Sequence, residues 1–220
     1  MPAASGVLPG DMLPQSSSAH PPSRSQFSGA IIDGALVQHK ATHRYIPREG
    51  DMVVGVVTDK HAEQFTLDIR APFFARLPVL AFEGATKANR PHLAVGTLVY
   101  CRVVFADREA EPEVTCICEG ESKSWVTGAG PFGELKKGYV FDVSLGYAEA
   151  LLSLDCAVVN ELGKHLAYEL AVGHNGRVWV AAPSIKHSIV IANAIANAEL
   201  LPAEQVGGMV RQLVSIIQQH

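Results

Sequence analysis

Glu109, Glu111 and Glu113 are the carboxylates in this 220-residue sequence whose spacing invites a chemical reading, as ligands for a metal ion that activates a phosphodiester. They surround Pro112 in a run rich in acid, so the plainer reading is a solvated acidic loop. Other chemistries lack their residues. Nine histidines form no HExxH or comparably spaced ligand set, and the four cysteines include no CxxC pair. Cys116 and Cys118, two apart on a β-like run, would aim their sulfurs oppositely or into a core. No GxSxG elbow, phosphate-binding Walker loop or Cys/His nucleophile pair is present. Gly128 to Gly133 spells GxGxxG, but the dinucleotide fingerprint needs a strand before it and a helix after it, and Pro131 interrupts it here. It reads as an interdomain loop. The expectation is a protein with no catalytic residue, metal, cofactor or small-molecule substrate.

Cations suggest binding instead. The net charge is −4, made of about +1 in residues 1–44, −3 in 45–120 and −2 in 121–220. Within the middle part, Gly84 to Ala106 carries Lys87, Arg90 and Arg102 and no carboxylate, while Arg108 to Glu121 carries five glutamates. One side of that module is electropositive. The whole is too acidic for a duplex-DNA binder, so a nucleic-acid contact should be a local groove.

The elements that must position these cations come next. Hydrophobic residues make up 48% of the chain and charged residues 18%, which is ample for folded cores. No apolar run approaches the roughly 20 residues of a membrane span, and four cysteines are too few for a disulfide scaffold, so a soluble protein of a reducing compartment is expected. Residues 1–28, with five prolines and seven serines, read as a disordered tail. Residues 29–46 hold a short β-like run, Ala30 to Ile32 and Gly34 to Val37, that can make a small hairpin.

From residue 47 to 121 short β-rich runs alternate with polar breaks. Strands are predicted near Asp51–Thr58, Gln64–Arg70, Phe74–Ala81, Thr97–Ala106 and Glu113–Cys118. Five strands in about seventy residues suit an OB-type barrel, whose second and third strands commonly face single-stranded nucleic acid. Phe65, Leu67 and Ile69 alternate inward, turning Thr66, Asp68 and Arg70 outward without an aromatic platform. Phe73 and Phe74 are neighbours of which one at most should meet solvent.

Residues 122–220 change period. A strand at Gly138–Leu145, helices at Tyr147–Leu152 and Cys156–Gly163, strands at Ala167–Val172 and Arg177–Ala182, and a helix from an N-cap at Ser184 to about Leu200 give the order β-α-α-β-β-α of a KH fold. A last helix after Pro202 lines up Val206, Met209, Val210, Leu213 and Ile217 on one face, which should dock on the domain. The KH fold grips RNA with a GxxG loop between its first two helices. That junction here is Ser153-Leu154-Asp155, so the domain is expected to serve packing. Gly173-His174-Asn175-Gly176 lies instead between two strands and predicts a type I′ turn, with positive φ at Asn175 and Gly176 and a free side chain on His174.

Four segments together resemble one family: Gly50-Asp51-Met52-Val53-Val54-Gly55-Val56-Val57, Phe82-Glu83-Gly84-Ala85-Thr86-Lys87-Ala88-Asn89-Arg90-Pro91, Glu111-Pro112-Glu113-Val114, and Gly173-His174-Asn175-Gly176-Arg177-Val178-Trp179-Val180. The sequence from Tyr45 onward is similar to the S1/KH cap subunits of the RNA exosome. The FEGATK-x-NRP loop resembles the ribosomal RNA-processing "forty" type among them. The resemblance implies a mainly β plus α+β chain: a short N-terminal β element, a five-stranded OB-type S1 barrel and a KH domain. It implies a non-catalytic subunit that stabilises a ring of RNase PH-like proteins beside other cap subunits and guides single-stranded RNA into the channel, in nucleus, nucleolus and cytoplasm. RNA would be met at Lys87, Asn89 and Arg90, with Arg70 and Arg102 nearby; Ala88 stands where relatives carry a second cation. Gly173, His174, Asn175, Gly176 and Trp179 would pack against the S1 domain. A free-standing S1/KH module acting in translation or mRNA control is the alternative.

Overall fold

The computed structural model describes residues 29–32, 35–38, 44–118, 131–153 and 156–218. The expected tail at 1–28, the Gly128 to Gly130 part of the GxGxxG run, and Leu154-Asp155 at the junction of the first two expected KH helices lie outside the described residues. The chain divides into two units, Met1–Ala41 and Thr42–His220. In the first, β1 (Gly29–Ile32) and β2 (Ala35–Gln38) form an antiparallel hairpin with Ile31 opposite Leu36.

The second unit begins with a barrel. β3 (Met52–Lys60), β4 (Gln64–Asp68), β5 (Ala75–Pro78), β6 (Leu98–Phe105) and β7 (Glu113–Thr115) are its staves. β3 pairs with both β4 and β6, and a parallel β5–β7 step closes the ring. Strand alternation fills it: Val53, Val57, Phe65, Leu67, Ala75, Leu77, Val99, Cys101, Val103 and Val114 are all buried inward. Closure leaves no long open edge in the five-stranded ring. One strand was not anticipated. β8 (Gly133–Leu135), within what the sequence presents as a Gly-rich join, pairs with Leu98–Tyr100, the half of β6 that β7 leaves uncovered.

β9 (Tyr139–Asp142), α1 (Leu145–Leu152), α2 (Ala157–His165), β10 (Glu169–Val172), β11 (Arg177–Ala181) and α3 (Ile185–Ala198) follow in the KH order, and α4 (Ala203–Gln218) packs on α2 and α3. α1 starts two residues earlier than its periodicity suggests because the Ser144 hydroxyl accepts the Tyr147 N–H, an N-cap that fixes the first turn. Ser184 precedes α3 but its side chain makes no cap bond. The three strands form an antiparallel sheet in the order β10-β11-β9. Its helix face buries Val172, Val178 and Val180 against Ala148, Leu162, Ile191 and Ile195, joined by Val206, Val210 and Val214 of α4. The other face lies on the barrel: Ala171 and Trp179 meet Val54 and Tyr100, with Phe132 and Leu135 alongside. Both faces of a short sheet are thus covered, which explains the nearly unbroken apolar run of β11.

Candidate nucleic-acid interface

The loop from Phe82 to Pro91 is anchored at both ends. Phe82 is buried in a bridge to Cys116, and Pro91 is buried as well. Between them Ala85 N–H donates to Phe82 O at 3.0 Å, Thr86 N–H donates to Asn89 O at 3.0 Å, and the Thr86 hydroxyl accepts the Asn89 N–H at 3.1 Å. This rigid loop presents Lys87 and Asn89 to solvent. Arg90 is exposed but partly committed: its Nε donates to Lys87 O at 3.0 Å and its guanidinium to Ala62 O at 3.2 Å, tying the loop to the β3–β4 turn. A fixed loop with outward cations can hold phosphates in place without reading bases.

The other two expected cations stand elsewhere. Ala62 precedes β4 and Arg70 follows it, so Arg70 lies about 20 Å from the Arg90 anchor along the strand. Arg70 has φ of 62° and its guanidinium is 2.9 Å from Asp142 of the KH domain. Arg102 pairs with Met52 at the start of β3, the end remote from the β3–β4 turn. Lys87, Asn89 and Arg90 are therefore one cluster, and Arg70 and Arg102 are not part of it. At its last residue the outward face of β4 meets the KH domain: Arg177 donates to the Asp68 carbonyl at 2.6 Å and to its carboxylate at 2.7 Å. Partial burial works to raise the Asp68 pKa, but the Arg177 hydrogen bond, the Arg70 N–H and both guanidinium charges outweigh it and hold the carboxyl below its ordinary value. Nothing local in the sequence links Asp68 to Arg177, 109 positions away.

The hairpin at 173–176 departs from the expected turn. Gly176 has φ of 76°, and Arg70 and Lys137 are the non-glycine residues with positive φ among those described, so Asn175 does not take the left-handed conformation. Gly176 N–H donates to Gly173 O, and Gly173 N–H to Arg177 O, giving a type I turn followed by a left-handed glycine. The negative φ frees Asn175 to point sideways into the barrel. Its side-chain amide donates to Val54 O at 2.9 Å and Ile69 O at 3.0 Å, its oxygen accepts the Val54 N–H at 3.4 Å, and the residue is 0% exposed. His174 is not free either. Its N–H donates to Met52 O at 2.8 Å and its Nδ1 accepts the Met52 N–H at 3.1 Å. A Cβ on Gly176 would meet Val143 O at 2.7 Å, and one on Gly173 would meet Val54 N at 2.8 Å. Trp179 is buried beside them. Tyr100 joins the same seam by donating to Val172 O at 3.0 Å, and burial pushes its hydroxyl up to about 12.

Phe73 and Phe74 are both exposed, against the expectation that one at most would be, because the β4–β5 loop carries them outside the barrel wall. Glu111 lies 3.2 Å from Arg76, and Glu109 N–H closes on the Asp107 carboxylate, so the acidic run is a hydrogen-bonded loop. Among the described residues no three His, Cys, Asp or Glu side chains stand together as a metal site, and no helix is long and apolar enough to cross a membrane.

Comparison with known proteins matches this geometry to one family. Residues 45–128 match the family model described as exosome complex component RRP40, S1 domain, and residues 138–186 match a KH domain model. The chain is 44% identical over 173 residues to a candidate exosome complex component rrp40 of Dictyostelium discoideum, covering 79% of this chain and 70% of that protein. It is 41% identical over 162 residues to the exosome complex component RRP40 of Mus musculus, covering 74% of this chain but 57% of that protein. A crystal structure of a candidate exosome complex RNA-binding protein superposes with a TM-score of 0.63 over 79% of this chain and 99% of its own, at 20% identity, and bears on the fold alone.

Proposed function

Because the chain belongs to the exosome complex component RRP40 family, we propose that it is a non-catalytic, RNA-binding cap subunit of an exosome. In this reading it braces a ring of RNase PH-like subunits beside the other cap subunits and helps lead the 3′ end of single-stranded RNA toward the channel, for processing, including that of ribosomal RNA, and decay. Such a complex would work in nucleus, nucleolus and cytoplasm.

The observation that carries the proposal is the fate of the Gly173–Gly176 hairpin. A KH domain that gripped RNA there would leave the loop open, whereas here Asn175 and His174 are spent on β3 of the barrel. The KH domain then acts as a buttress, and RNA is left to the exposed Lys87 loop. Contacts of that kind place phosphates without sequence preference, as a subunit that passes many RNAs to other chains requires.

A tagged copy expressed at native level, followed by sizing of the lysate and identification of co-purifying chains, tests the reading. Elution with a complex of about ten chains that contains exosome subunits is expected. Elution as a small species with translation or mRNA-control proteins would favour the free-standing module instead.

A further inference from the structure

A cleft opens at the end of the barrel away from the Lys87 loop: Ala62, the anchor of Arg90, precedes β4, and Pro72 of the cleft follows it. It holds about 360 Å³. Ile46 and Pro47, which lead into β3, line it together with Pro72 and Phe73 of the β4–β5 loop and Asp107 and Arg108 of the β6–β7 loop. Hydrogen bonds fix the three segments. The Tyr45 hydroxyl donates to Asp51 Oδ2 at 2.7 Å, Gly50 N–H to Val103 O at 2.8 Å, and Arg76 N–H to Pro112 O at 2.8 Å. Ala71, buried at the root of the β4–β5 loop, holds that loop to the barrel and leaves Phe73 43% exposed.

Six residues are few for a protein interface, which engages about 20–30 a side, whereas the volume falls within the roughly 300–1,000 Å³ of small-ligand pockets. The polar groups of the cleft are complementary. Asp107 Oδ1 accepts the Glu109 N–H at 2.8 Å, and its second oxygen has no hydrogen bond among the described residues. The Arg108 guanidinium has neither hydrogen bond nor ion pair among them, and the Phe73 ring meets no other ring. An acceptor, a forked donor and an aromatic face therefore stand together unused. Surplus positive charge is absent, because exposed Glu49 and Glu109 adjoin exposed Arg48 and Arg108, so a phosphate is not the natural occupant.

A flat ring with donors beside acceptors meets all three groups. Guanine is such a ring: its O6 and N7 accept an arginine in bidentate fashion, and its N1–H and N2 amino group donate to a carboxylate. Adenine and cytosine carry an amino group where guanine has O6, and uracil has one N–H between two carbonyls. Unstacked bases of single-stranded RNA are held in this manner, stacked on aromatic rings and bonded at their edges.

We propose that the cleft binds one unpaired guanine base of single-stranded RNA, with Phe73 stacking on it, Arg108 donating to O6 and N7, and Asp107 accepting from N1–H and the N2 amino group. The proposal rests on the RNA-binding reading and adds to it a base contact separate from the phosphate contacts of the Lys87 loop. OB folds occupy about 4–16 nucleotides, so one strand can serve both ends of the barrel. A single preferred base still lets RNAs of many sequences pass.

The test uses the full purified chain and short fluorescent uridine RNAs carrying one central guanosine, one central adenosine or neither, after circular dichroism melting shows that each variant folds. Wild type should bind the guanosine RNA at least about fivefold more tightly than the others. The margin should persist as salt is raised, since no phosphate is neutralised in the cleft. Phe73→Ala and Asp107→Asn should each abolish the margin and leave binding of the plain uridine RNA as in wild type. Lys87→Ala should weaken all three RNAs alike and keep the margin. No guanosine margin in wild type, or one that survives either cleft substitution, refutes the base site while RNA binding through Lys87 stands. Cleft variants with unaltered RNA binding but a changed set of co-purifying proteins would make the cleft a protein contact and overturn the proposal. Failure of wild type to bind any of the RNAs would remove the base site together with the RNA-binding reading.

Discussion

The side-chain amide of Asn175, in the KH hairpin, donates to the carbonyl of Val54 at 2.9 Å across 121 residues of sequence, and to Ile69 O at 3.0 Å. One buried amide therefore serves two carbonyls of another domain, one on β3 and one just past the end of β4. Asn175→Ala leaves both carbonyls and the Val54 N–H unpaired, at about 1–3 kcal/mol for each group that water cannot reach. Urea unfolding should show a loss of about 3 kcal/mol or more. Asn175→Asp should be at least as harmful, since a carboxylate accepts but cannot donate.

Arg177 and Asp68 make the same seam pH-dependent. The Asp68 carboxyl titrates below its ordinary value of 3.8 in the folded protein, so its contribution is complete above about pH 4 and is lost as pH falls through the lower folded value. Stability of wild type should drop more steeply than that of Asp68→Asn between about pH 4 and pH 2. Parallel acid-unfolding curves would show that the pair contributes nothing.

Much of the fold was legible and the seam was not, for a physical reason. Phe65, Leu67 and Ile69 alternate, and alternation records which side of β4 meets a core. It cannot record what covers the other side, so Asp68 and Arg70 read as solvent-facing anion and cation until the KH sheet arrives. β8 escaped because three residues, Gly133-Glu134-Leu135, carry no periodicity and owe their strand to the open half of β6. The hairpin location was plain from Asn175-Gly176, but its turn type depends on Asn175 reaching Val54, a long-range bond that overrides the local preference of Asn-Gly. Lys87 and Arg90 stood out through the absence of carboxylates around them, yet charge alone did not show that Arg90 also bonds Ala62 O.

That double use of Arg90 separates two substitutions. Lys87→Ala should weaken RNA binding in the assembled complex and flatten its log-log salt dependence by up to about 0.7, with no change in melting temperature. Arg90→Ala should do both and also loosen the loop, seen as faster amide exchange at Thr86 and Asn89. Equal salt slopes for wild type and both variants would place RNA elsewhere.

Purified protein with 5′-labelled single-stranded RNA should give no shortened product with magnesium or with phosphate. A product that persists through further purification and disappears with a point change in this chain would contradict the non-catalytic reading.

The most direct measurement compares Gly176→Val with wild type for melting temperature, incorporation into the exosome and RNA binding. Gly176 sits at φ 76° with Val143 O 2.7 Å from where a Cβ would lie, so valine adds about 1–3 kcal/mol of backbone strain and a clash in the seam. The account predicts that melting temperature and incorporation fall together, and that RNA binding by the residual complex stays as in wild type. A variant that is as stable and as well incorporated as wild type but no longer binds RNA would make the hairpin a nucleotide clamp and contradict the account.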